Sequence, residues 1–96
     1  MIDLRSIPLA PGEEEKILQT LGKGEVQAQL SLLGLSEVSE TRFAGVWTVT
    51  HYNDEQHIIS RFIEVTTIPD ILCSQTEDVM EAYSRLTLEL TDNPET

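Results

Sequence analysis

The chain holds a single cysteine, Cys73, in 96 residues. Without a second thiol there is no intrachain disulfide and no Cys-x-x-Cys pair for metal or redox work, a usage that suits a reducing compartment. Basic residues are scarce as well: six Lys and Arg stand against seventeen Asp and Glu, for a formal charge of -11. A field of that sign repels phosphate backbones and anionic headgroups, which argues against nucleic acid and membrane surfaces as partners. It fits a basic protein surface, or solubility alone. Long apolar runs are missing too: no segment reaches the ~20 residues of a membrane span, and residues 1–5 open without the apolar stretch of a signal peptide. The expectation is a cytoplasmic chain, neither inserted nor exported by itself.

The length and the 40% hydrophobic content suffice for one core, so residues 1–96 read as a single domain without repeats, low-complexity tracts or linkers. Residues 1–10 lack helical period and read as an extended arm. From Pro11 the acidic run Glu13-Glu14-Glu15, the apolar Ile17, Leu18 and Leu21, and the closing Gly22 predict a three-turn amphipathic helix.

Strict alternation over 25–33, with Val26, Ala28, Leu30 and Leu32 on one side, predicts a half-exposed strand, followed by a shorter one at 37–41. Residues 46–52 and 58–67 are rich in β-branched and aromatic side chains and flank Asn53-Asp54-Glu55-Gln56, the strongest hairpin signal in the chain. A turn centred on Asp54-Glu55 would set Trp47 opposite Phe62 and Val46 opposite Ile63. Beyond Pro69, Ser74 and Glu77 have the spacing of a capping box, and Val79, Tyr83, Leu86 and Leu90 form one stripe of a second helix running to about residue 90, with 91–96 as a frayed tail.

The predicted fold class is therefore α+β with two layers: a four-stranded antiparallel meander with the N-terminal and C-terminal helices packed on one face. That arrangement leaves Val46, Ile59, Ile63 and Val65 on the other face, a candidate surface for a protein partner or for self-association.

Chemical constellations are weak. His51 and His57 flank one turn but fall on opposite sheet faces in the expected register, so no metal site is predicted. Gly22-Lys23-Gly24 lies between a helix and a strand, the reverse of a phosphate loop, and reads as a helix end and strand entry. Cys73, between Leu72 and the cap Ser74, reads as a packing thiol, and paired acids in first helical turns answer the helix dipole. No catalytic residue and no cofactor is assigned.

Four words in order are more specific: Ile7-Pro8-Leu9-Ala10-Pro11-Gly12-Glu13-Glu14, Leu21-Gly22-Lys23-Gly24-Glu25-Val26, Gly45-Val46-Trp47, and Ile63-Glu64-Val65 with Ile68-Pro69. Over residues 7 to 90 the chain resembles the C-terminal conserved domain of the HupH and HyaF hydrogenase expression proteins, although members of that family are usually much longer. The resemblance implies a non-enzymatic accessory factor that assists nickel-iron uptake hydrogenase maturation in the cytoplasm. Its implied partner is a hydrogenase precursor subunit or another maturation protein. Gly22, Gly24, Glu25, Gly45, Trp47, Glu64 and Pro69, which carry the likeness, read as turn and core architecture. The alternative reading is a self-associating structural domain, a homodimer with no hydrogenase role.

Overall fold

The computed structural model describes residues 1–31 and 34–92. Along the chain run β1 (Ile2–Asp3), α1 (Glu13–Leu21), β2 (Gln27–Ser31), β3 (Leu35–Glu40), β4 (Val46–Tyr52), β5 (Ile58–Val65), a 3-10 turn (Asp70–Leu72) and α2 (Thr76–Asp92). The strands form one antiparallel sheet in the order β1-β5-β4-β3-β2. The class is α+β, as expected, with five strands instead of four. The added one comes from the arm: Ile2 pairs with Ile63 and Asp3 with Phe62. Two residues carry no readable period, yet they satisfy part of the row of backbone groups that β5 would otherwise expose as an edge. Leu32 and Leu33, expected at the end of the first long strand, lie outside the described residues, as do residues 93–96 of the expected tail.

The β4-β5 hairpin forms where its β-branched residues predict it, but its register is displaced by two: Trp47 faces Glu64, Val49 faces Phe62 and Val46 faces Val65. The cause is the turn. Asn53 Oδ1 accepts from the backbone N–H groups of Glu55 and His57, both at 2.9 Å, Gln56 turns left-handed at φ 66, and a bulge falls at His51/Tyr52. From Val46↔Val65 to His51↔Ser60 the displacement is even, so each side chain there keeps its face; beyond the bulge the register shifts by one.

Residues paired directly across strands share a face. On one face Ala28, Val38, Val49 and Phe62 form a row across β2 to β5. Val38, Trp47 and Val49 are its buried centre, with Ala28, Phe62 and Leu72 packed around them. Leu72 arrives from the 3-10 turn, which the buried Pro69 anchors, while Trp47 Nε1 donates to Thr66 O at 3.0 Å. The opposite face carries Thr48, Thr50, Arg61 and Ile63.

Gly24 is needed where the chain enters β2, since a Cβ there would lie 2.5 Å from Thr41 O. Gly45 sits at φ 76 just before β4, where a side chain would strain the backbone.

The two helices do not share a face, contrary to the expected packing. Helix α1 is tied to the Arg61 side: Glu14 lies 3.9 Å from Arg61 Nη1 and 3.8 Å from Arg5 Nε, and Arg61 Nε donates to Thr50 Oγ1. Its far end is held by Arg42, whose Nε donates to Thr20 O and whose backbone N–H donates to Leu21 O. Helix α2 packs on neither face, and every residue from Thr76 to Thr91 is exposed. The radius of gyration is accordingly 18.0 Å, with a 61 Å long axis, against about 12–13 Å for a compact chain of this length.

Candidate binding surfaces

Three surfaces follow from this geometry. The first lies on the core face, at the end of the sheet next to the β4-β5 turn. There Leu30, Ser36, His51 and Ser60 form a row across β2 to β5. Above them opens a groove of about 470 Å³ whose walls include Ile59, Ile71 and Asp54. Ser36 Oγ lies 2.7 Å from His51 Nδ1, and the imidazole meets the Phe62 ring edge-on with centroids 5.9 Å apart. A hydroxyl beside an imidazole is the start of a nucleophile-base pair, but such a pair also needs a group that orients the ring and a hydroxyl open to substrate. Among the described residues no carboxylate hydrogen-bonds to His51, and Ser36 is buried. The pair gives the groove a polar floor.

The second surface is the one that the sequence indicates, and its four residues do not form one patch. Val46 and Val65 are neighbours on the face away from the core, Val46 half-buried and Val65 76% exposed. Ile63 belongs to that face but is buried, on the side where Leu4 is buried too and α1 is tied to Arg61 through Glu14. Ile59 is 61% exposed at the other end of the hairpin, beside the bulge, where it lines the groove over His51.

The third surface, α2, is visible in the sequence as an amphipathic pattern, but not as a free one. Val79, Tyr83, Leu86 and Leu90 are 52 to 72% exposed, with Met80 alongside at 66%. Helical spacing puts Glu77, Asp78, Glu81 and Arg85 away from the stripe, with Glu89 at its border.

The remaining sequence candidates are architectural or dispersed. Gly22 closes α1, its N–H donating to Leu18 O at 3.0 Å, and Glu25 is exposed ahead of β2. Glu64 stands half-buried across from the buried Trp47. His57 is on the exposed turn, 3.8 Å from Glu55, while His51 is held in the groove. Among the described residues no three His, Cys, Asp or Glu side chains converge as a metal site. Cys73 is exposed, not packed, and its thiol donates to Pro69 O at 3.6 Å. The short 3-10 turn sends Leu72 inward and leaves its neighbour outside. No described helix is long and apolar enough to cross a membrane.

Comparison with known proteins agrees with the four-word likeness. Residues 1–91 match the family model described as the HupH hydrogenase expression protein, C-terminal conserved region. The hydrogenase expression/formation protein HoxQ of Azotobacter vinelandii is 28% identical over 85 residues, covering 88% of this chain and 30% of the relative. HupH of Rhizobium leguminosarum bv. viciae is 30% identical over 86 residues, covering 90% of this chain and 30% of the relative. The chain thus spans less than a third of the curated relatives it matches. Among solved structures, the hydrogenase expression protein HupH from Thiobacillus denitrificans is 40% identical, with a TM-score of 0.85 over 95% of this chain and 76% of that one. By the match along nearly its whole length, the chain belongs to the HupH hydrogenase expression protein family, in its C-terminal conserved region.

Proposed function

We propose that this chain is a non-catalytic accessory factor in the maturation of a nickel-iron uptake hydrogenase. It acts in the cytoplasm by binding a hydrogenase precursor subunit or another maturation protein. The names of its relatives supply the process. The observation that carries the binding role is the groove over Ser36, His51 and Ser60, with Ile59 and Ile71 exposed at its walls. An apolar-walled groove with a few fixed polar groups on its floor is suited to receiving a partner segment: the walls supply desolvation and the floor supplies orientation. The net charge of -11 favours a partner whose rim is basic, through faster encounter and rejection of acidic competitors.

The test is capture of a hydrogenase precursor subunit by the tagged chain, comparing the native sequence with an Ile59→Ser/Ile71→Ser double variant. Both side chains are exposed, so the fold should survive. At least tenfold weaker capture by the variant is expected. Equal capture would reject the groove as the docking site.

A further inference from the structure

We propose that α2 is a self-association helix, whose apolar stripe is covered in solution by the same stripe of a second copy of this chain. The proposal is independent of the hydrogenase reading, since it needs no precursor to be present.

The stripe has the geometry of a helix-helix seam. Val79, Tyr83, Leu86 and Leu90 are separated by steps of four, three and four, the alternation of a heptad repeat with both seam positions apolar. The positions flanking the seam are Met80, Ala82, Thr87 and Glu89, so a single charged residue borders it. This matters for a chain of charge -11. Two such molecules repel each other overall, and pairing requires that the contact itself be free of like charge. In α2 the other acids point away from the seam, leaving that contact open.

Helix α2 covers neither face of its own sheet. Leu72 packs on the core cluster, Pro69 is buried, and only Cys73, Ser74 and Gln75 separate this anchor from Thr76. A solitary 17-residue helix is also marginal in water unless its apolar side is buried. The five side chains on or beside the stripe, each more than half exposed, present on the order of 500 Å² of apolar surface per chain. A symmetric pair would then bury up to roughly 1,000 Å², the lower threshold for a specific interface.

The solved Thiobacillus denitrificans relative aligns over 95% of this chain with a TM-score of 0.85, too much of it to leave out a 17-residue helix, so the helix belongs to the shared fold. A lipid surface is disfavoured as the cover. The polar side of α2 is acidic, with Arg85 its only cation, whereas interfacial helices are basic there.

Sedimentation equilibrium of the 96-residue protein decides the matter. From about 1 to 200 μM the native chain should pass from 10.8 kDa toward twice that mass. Leu86→Glu, on the seam, should weaken dimerisation at least 100-fold, whereas Leu88→Glu, on the opposite side of the same helix, should leave it within threefold. Trp47 fluorescence reports whether the sheet remains folded in each variant, since α2 does not touch it. A native chain that stays monomeric throughout this range would overturn the proposal, pointing to a different protein or a further segment as the cover. So would a Leu86→Glu dimer as tight as the native one, or equal loss in both variants.

Discussion

Helix α1, nine residues long, is held at both ends, whereas α2, seventeen residues long, is attached only through the segment before it. Both have acids in the first turn and an apolar stripe, and neither has a basic residue in its last turn. What separates them is the chain around them. Arg42 reaches the carbonyl end of α1 and Glu14 meets Arg5 and Arg61, while nothing among the described residues reaches α2 beyond Gln75. Amphipathic pattern states that a helix has a side to bury; it does not state against what. The two helices are about equally amphipathic, and the longer one is left uncovered, which is opposite to what length alone would suggest.

That contrast can be broken or sharpened in three ways. The largest effect is expected in the sheet, where Trp47→Ala removes a buried ring at the centre of the core and its hydrogen bond to Thr66 O. Urea denaturation should show a loss of about 3–5 kcal/mol, and a loss under 1 kcal/mol would mean that the Val38 cluster is not the core. Next, Arg42→Ala should release the far end of α1, removing the donor to Thr20 O and the guanidinium 5.1 Å from the Phe43 ring. A destabilisation of roughly 1–2 kcal/mol, together with faster amide exchange in α1, is expected; unchanged exchange would show that α1 does not depend on this tether. The smallest effect belongs to α2. Deleting residues 76–96 should change sheet stability by less than about 0.5 kcal/mol in dilute solution, where self-association adds nothing. A larger loss would mean that α2 shelters the sheet after all.

Much of the fold was readable from residues alone. Alternation in β2, the β-branched run of β4, the Asn53 turn and the Pro69 break each report a local preference, and each element formed close to where its residues place it. The hairpin register was displaced by two because one asparagine side chain organises a wider turn than the Asp54-Glu55 centre implies. The candidate surfaces were only half readable. Val65 and Ile59 are exposed, whereas Ile63 is buried on the side to which α1 is tied, a contact that no local pattern announces. The Ser36-His51 pair, fifteen residues apart, carries no signal until β3 and β4 align.

Period, turn chemistry and charge sign are properties of neighbouring residues, so the string of amino acids settles the strands, the helices, the acidic surface and the family. Which faces are covered depends on long-range contacts: α1 tied to the Arg61 face, Leu72 packed on the core cluster ahead of α2, and α2 projecting free. Those outcomes turn on competition for a finite apolar area among segments far apart in the chain, and local pattern is blind to who arrives first.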